Sequence, residues 1–259
     1  MVTLLSHAQH GFVGGHSTCT NLLECLNDWS LSIQDNKSVI VAYIDFSRAF
    51  DTVSHKKLLA KLYTYGIRSD VLLWLERYFN KRTHQTRVGD CVSAEANLTS
   101  GVVQGSGIGP VSFLIYVDEL AKLLERHGVV VNFFADDVKV YLELCNVSDV
   151  DKLQNALDLI TGWANEWQLS LSVNKCNLLL IGKCQDNTSY YVNEIELPYL
   201  SHCKDLGVVI ASELSPSLHI QHITAKAHQR ANSILRCFVS GNTKSLVRAF
   251  IVRQIDVGV

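Results

Sequence analysis

Two acidic residues caught between two short strands constrain this chain more than any other feature. Residues 129–134 (V-V-V-N-F-F) and 138–144 (V-K-V-Y-L-E-L) are β-rich runs separated only by Ala135-Asp136-Asp137. Runs this close must fold back on each other, which puts both carboxylates at the tip of a tight hairpin. A third acid ends another strand. Ser38 to Phe46 reads S-V-I-V-A-Y-I-D-F, a nearly continuous β-branched and apolar run of the kind that forms a buried central strand, with Asp45 at its carboxyl end.

If those strands are neighbours, three carboxylates converge. Clustered carboxylates repel one another and persist mainly where they bind hard cations, and Mg²⁺ held by a few carboxylates plus substrate phosphates is the common case. Two such ions about 4 Å apart activate an attacking hydroxyl and stabilise a leaving phosphate oxygen, so the pattern points to phosphoryl transfer. An Asp-Asp pair in a hairpin also serves as plain turn chemistry, its side chains capping local amides. The residues by themselves leave both readings open.

The rest of the chain alternates helical and extended patterns. Leu22, Leu26, Trp29 and Ile33 fall at helical spacing behind a Ser17/Thr18 cap. Ser54 caps a helix with Leu58, Leu59 and Leu62 inward and Gly66 as its stop, and Val71 to Phe79 repeats the pattern with Trp74, Leu75 and Tyr78. Residues 85–99 read as a small hairpin. Ser100 to Pro110 carries four glycines, without the G-K-[ST] of a phosphate-cradling loop, and Pro110 opens a helix bearing Phe113, Leu114, Val117, Leu120 and Leu124. Ser148 starts a further helix, a strand follows over 169–181, and from Pro216 the pattern is helical again, with Gly241 before a last helix over 245–255. This order predicts an α+β fold: an antiparallel sheet of the split β-α-β-β-α-β type, backed by helices on one face and open on the other.

Composition narrows the partners less clearly. With 23 Lys and Arg against 25 Asp and Glu, the formal charge is −2, a poor match to polyphosphate binding unless basic patches such as Lys81, Arg82 and Arg87 act locally. The eight cysteines include no C-x-x-C pair and read as reduced thiols of an intracellular protein. Cys203 with His219 and His222 lacks the spacing of a zinc site; imidazoles three apart on a helix are ordinary surface residues. No apolar run approaches the roughly 20 residues that a membrane span needs.

Several stretches together resemble the reverse transcriptases of non-LTR (LINE-like) retrotransposons, from Gln9 to the last residue. Gln9-His10-Gly11-Phe12 with Ser17-Thr18 and Thr20 to Glu24 is similar to the motif at the finger-to-palm junction. Asp45 to Asp51 (D-F-S-R-A-F-D), with Val53 and His55, resembles the palm strand that carries the first catalytic Asp. Ser100 to Pro110, with Phe113, Tyr116 and Leu120, resembles the template and nucleotide-binding loop and its helix. Phe134-Ala135-Asp136-Asp137 matches the Y/F-A-D-D hairpin, 91 positions after Asp45. Trp167 to Gly182 resembles the next palm motif, and Leu206-Gly207 the primer-grip turn.

The resemblance implies a right-hand polymerase palm and an RNA-directed DNA polymerase. Residues 1–37 would be partial fingers with a leading helix, 38–212 the palm with a finger-side insertion at about 67–99, and 213–259 the start of a truncated helical thumb. Asp45, Asp136 and Asp137 would bind two Mg²⁺ ions, with Mn²⁺ able to substitute. Phe46, Phe50, Gln104 and Gly105 would line the nucleotide and template site, Phe50 lying under the sugar to exclude a 2′-hydroxyl. Lys175 would protonate the leaving pyrophosphate. The implied partners are an RNA template, a DNA primer and deoxynucleoside triphosphates, and the implied compartment is the nucleus, although no localisation signal is visible.

The chain departs from the family pattern in places. Val13, Gly14, Gly15 and His16 stand where the family usually has Arg or Lys, removing positive charge near the triphosphate. Val103 replaces a proline, so the loop is expected to be less preorganised. Basic finger strands ahead of Gln9 and a complete thumb are expected to be missing. Two functions remain open on these grounds: a catalytic polymerase core, or an inactive retrotransposon remnant that folds as a palm and at most binds nucleic acid.

Overall fold

The computed structural model describes residues 5–183 and 188–237, with 244, 245 and 247. Two compact units divide the chain, Met1–Leu200 and Ser201–Val259. The first is built on a five-stranded sheet. Its elements, in order, are α1 (Thr18–Gln34), β1 (Ser38–Ile44), β2 (Phe46–Ser47), α2 (Ala49–Thr52), α3 (His55–Thr64) and α4 (Ser69–Phe79). Four two-residue strands follow, β3 (Thr83–His84), β4 (Arg87–Val88), β5 (Cys91–Val92) and β6 (Ala96–Asn97), and then α5 (Ile108–Glu125), β7 (Val130–Phe134), β8 (Asp137–Leu144) and α6 (Val147–Trp167). The unit ends with β9 (Ser170–Leu171), β10 (Asn177–Ile181), β11 (Tyr191–Val192), β12 (Ile195–Glu196) and β13 (Tyr199–Leu200).

Strand order in the main sheet is β13-β10-β1-β8-β7, so the apolar run from Ser38 is central, as its composition requires. It pairs antiparallel with β8, from Ser38↔Leu144 to Ile44↔Val138, and with β10, from Val39↔Ile181 to Tyr43↔Asn177. The pleat sorts its side chains. Ile40, Ala42 and Ile44, with Val138, Val140 and Leu142, join one large core together with residues of α3, α5 and α6. The alternate residues face the other way and are covered too. There Trp29 of α1 is fully buried and meets Tyr141 edge-on, ring centroids 5.6 Å apart, while the Tyr141 hydroxyl donates to Asp28 and Asn132 donates to the Cys25 sulfur. Thus the second face is not wholly open as the β-α-β-β-α-β pattern suggested: the N-terminal helix covers part of it. Its buried stripe runs through Leu22, Cys25, Trp29 and Ser32, so small and polar residues share the face that the apolar spacing alone assigned to Leu26 and Ile33.

Reciprocal caps fix the starts of two helices. The Ser17 hydroxyl accepts from the Thr20 amide and the Thr20 hydroxyl accepts from the Ser17 amide, a reciprocal cap at the start of α1. Asp149 accepts from the Cys145 and Asn146 amides at the start of α6. In α4 only Leu75 and Phe79 are buried, whereas Trp74 is half exposed and stacks on Tyr78, against the expectation that it points inward. The hairpin expected over 85–99 is a nested ladder, β3 with β6 outside and β4 with β5 at the tip. The strand expected over 169–181 is broken: β9 pairs with β2, a turn of 3₁₀ helix covers Val173–Lys175, and only then does β10 begin.

The second unit contains a hairpin, β14 (His202–Asp205) with β15 (Val208–Ala211), and α7 (Ser217–Cys237). Leu206 and Gly207 both have positive φ, 43° and 93°, as a tight two-residue hairpin turn requires. His219 on α7 accepts from the Val209 amide of the hairpin. The expected stop at Gly241 and most of the helix over 245–255 lie outside the described residues. No helix among the described residues is long and apolar enough to cross a membrane.

Candidate active site

Asp45 follows the last residue of β1, and one step beyond the pair Ile44↔Val138 the same register leads from Asp45 to Asp137. Asp136 sits beside it in the two-residue turn between Phe134 and Asp137, the last pair of the β7–β8 ladder. The central strand and the hairpin therefore deliver their acids to one end of the sheet. Burial pushes the Asp136 carboxyl above its ordinary range, and repulsion from Asp45 adds to this, while its own backbone amide and the Lys175 ammonium oppose the shift. Lys175 Nζ lies 3.4 Å from the Asp45 carboxylate, brought there by the 3₁₀ turn whose leading residue, Ser172, donates its amide to the Asp45 carbonyl at 2.8 Å. Asp137 opens β8 and is exposed. Among the described residues no group of three His, Cys, Asp or Glu side chains is gathered closely enough to hold a metal ion by itself.

The structure also gathers the glycine-rich loop, onto the helical turn that follows β2. Val102 N–H donates to Phe50 O, Gly101 N–H to Val53 O, and the Ser100 hydroxyl to Asp51 O. Gln104 Nε2 donates to the Asp51 carboxylate at 2.7 Å. Gly101 is required here: its φ is +92° and a Cβ would lie 2.8 Å from the Asp51 carbonyl oxygen. Loss of the usual proline at 103 leaves the loop fixed by other means, since the Val103 carbonyl accepts from the amide and hydroxyl of Ser106, whose oxygen accepts from Gly109 N–H. Gly105 is exposed.

The Phe50 ring stacks on Phe113, centroids 4.2 Å apart, and meets the exposed ring of Phe12 edge-on at 6.2 Å. Phe46 behaves differently. Its side chain is buried at 4% exposure and packs edge-on against Trp163, in the core rather than at the site. Behind Asp45 lies the buried thiol of Cys176, which receives the Asp45 amide at 3.5 Å and donates to Ser172 O. Residue spacing carries no sign of that contact. Nor does it single out, within the block Gln9-His10-Gly11-Phe12, the Gln9 side chain, which is buried and bonded to Ala135 in the acidic turn. His16 lies against His10, ring centroids 4.5 Å apart and the planes tilted by 57°.

A mixed α/β unit whose sheet brings acids from a central strand and a hairpin tip to one end is consistent with a polymerase palm. The telomerase of Candida tropicalis, in its apo form truncated from the C-terminal domain, shares this fold: TM-score 0.58 at 9% identity, over 80% of this chain and 40% of that one. The family model for reverse transcriptase (RNA-dependent DNA polymerase) matches residues 1–222, and the chain belongs to that family. Its relatives include the probable RNA-directed DNA polymerase from transposon X-element of Drosophila melanogaster, 26% identical over 84% of this chain and 24% of the relative. Another is the RNA-directed DNA polymerase from mobile element jockey of Drosophila funebris, 25% identical over 92% of this chain and 27% of the relative. The chain thus spans about a quarter of the length of these curated relatives.

Proposed function

We propose that this chain is the palm-centred core of an RNA-directed DNA polymerase, which adds deoxynucleotides to a primer 3′ end by two-metal phosphoryl transfer on an RNA template. One observation carries the proposal: Asp45 and Asp136 meet at the ends of neighbouring strands, within electrostatic reach of each other and of Lys175. The donor set fits Mg²⁺, or Mn²⁺ in its place, because it is made of carboxylate oxygen. Mg²⁺ typically takes one or two carboxylates and completes its shell with water and substrate phosphates, so a closed cage of protein ligands is not needed. Asp45 and Asp136 would hold it, with Asp137 adjacent. When bound, the ions activate the primer hydroxyl and stabilise the leaving oxygen.

The remaining work falls to side chains and backbone. As the primer O3′ bonds to the α-phosphorus of the nucleotide and the bond to pyrophosphate breaks, Lys175 is the nearby cation able to protonate the leaving group. Phe50, braced by Phe113, presents a ring that would crowd a ribose 2′-hydroxyl. Gln104 and Gly105 would contact the nucleotide or template, Gln104 from a fixed position on Asp51. Phe46 would act through its backbone at the strand end, since its ring is in the core. Residues 1–37 would belong to the fingers, 38–212 to the palm with an insertion at about 67–99, and 213–259 to the thumb; retrotransposition would place the chain in the nucleus.

Primer extension on poly(rA)/oligo(dT) with purified chain tests this reading. Mg²⁺-dependent incorporation that drops by about 10³-fold or more in Asp136→Ala is expected. A folded chain that incorporates nothing, yet retains nucleic acid in a gel-shift assay, would identify an inactive palm.

A further inference from the structure

We propose that Gln9 is a positioning residue for Asp136: its side-chain amide fixes the backbone of the acid-bearing turn from outside the hairpin. The proposal deepens the polymerase reading and rests on it for the importance of Asp136. Gln9 Oε1 accepts from Ala135 N–H at 2.9 Å and from Gly11 N–H at 2.7 Å, while Nε2 donates to Ala135 O at 3.4 Å. Both backbone groups of the residue before Asp136 are thereby engaged by a single side chain, itself only 5% exposed.

Ala135 is where such a clamp is needed. Its φ is +58°, a left-handed conformation that an L-residue with a Cβ adopts only when its surroundings over-determine it. The Gln9 amide supplies that determination, and Gly11 closes the other side. A Cβ on Gly11 would lie 2.3 Å from Ala135 N and 3.0 Å from its Cα, so the segment can approach the turn only with glycine there. The segment is held in place along the outer edge of β7: His10 N–H donates to Phe133 O at 2.9 Å, Phe133 N–H to Ala8 O at 2.8 Å, and Asn21 Nδ2 also reaches Phe133 O, at 3.2 Å. Residues 8–11 thus form a short parallel addition to the sheet, from which Gln9 and Gly11 reach the turn. The direction of the Asp136 carboxylate follows from the dihedrals of the residue before it, and those dihedrals are set by Gln9.

Three variants test this. Gln9→Met keeps length and shape and loses all three hydrogen bonds; Gln9→Glu keeps the oxygen that accepts from both amides; Gly11→Ala pushes on the turn without touching Gln9. The readouts are kcat and KM for the nucleotide in primer extension, Mn²⁺ affinity of the chain alone by electron paramagnetic resonance of free Mn²⁺, and a thermal melt. Gln9→Met is expected to lower kcat and Mn²⁺ affinity by about 10- to 100-fold, the size of effect seen when the outer support of a metal-binding group is removed. KM stays unchanged, because nucleotide contacts made outside the turn are intact. Gln9→Glu restores most of what Gln9→Met loses, and Gly11→Ala reproduces the loss.

A folded Gln9→Met chain with wild-type kcat and Mn²⁺ affinity overturns the proposal. Where Gln9→Met does not fold, Gly11→Ala decides in the same way. Wild-type chain that binds Mn²⁺ through Asp136 but incorporates no nucleotide would sink the polymerase reading and leave the Mn²⁺ comparison to judge Gln9. Wild-type chain with neither property overturns both.

Discussion

At the end of the sheet that carries Asp45 and Asp136, the chain is fixed by single polar contacts to backbone: Gln9 to Ala135, Ser172 N–H to Asp45 O, Val102 N–H to Phe50 O. Behind the same sheet, α3, α5 and α6 are fixed by many apolar contacts, with Leu58, Phe113, Leu120, Leu153 and Leu157 all at 0% exposure. The first arrangement tolerates left-handed residues and juxtaposed acids because each oddity has its own partner. The second is redundant, and no one contact defines it. Position and stability are therefore supplied by different parts of one sheet, which is expected where a site must hold groups that repel each other.

Substitutions can break or sharpen this contrast. Leu157→Ala, in the middle of α6, should cost about 2–5 kcal/mol in urea denaturation through lost burial and a residual cavity, with activity per folded molecule unchanged. A change in kcat there would mean that the helical layer also sets the site. Gly101→Ala should cost about 1–3 kcal/mol, because a left-handed backbone and the Asp51 carbonyl both resist a Cβ. Unlike Leu157→Ala, it should also raise the nucleotide KM, since the loop and Gln104 move with it. Phe50→Val is the mildest. Deoxynucleotide preference over ribonucleotide, measured as a ratio of kcat/KM, should fall by about 10-fold, with little change in the melting temperature. An unchanged ratio would assign Phe50 to packing against Phe113 alone.

How legible each region was follows from the same contrast. The helical layer and the sheet order were open to reading because β1 is apolar and buried along nearly its whole length, and because burial returns every third or fourth residue in α6. Asp45 and the Asp136 turn were legible because three acids at strand ends stand out against apolar flanks. What stayed hidden depends on single long-range contacts. No periodicity predicts that Lys175 leaves its strand for a 3₁₀ turn, that Phe46 turns into the core beside Trp163, or that Gln9 reaches across 126 positions to Ala135. Trp74 misled for a related reason: a large apolar ring at helical spacing was assigned inward, whereas stacking on Tyr78 satisfies it at the surface.

Phe46, in β2, shares a core with Ile40, Ala42 and Ile44 of β1, so the alternation carries past the end of β1 and turns the intervening Asp45 carboxylate the other way. Deleting any single residue between 38 and 44 would exchange the two destinations, burying the charge and exposing the phenyl group. Mutational drift by length is thus closed to this segment: a shortened strand forfeits its packing and its chemistry together.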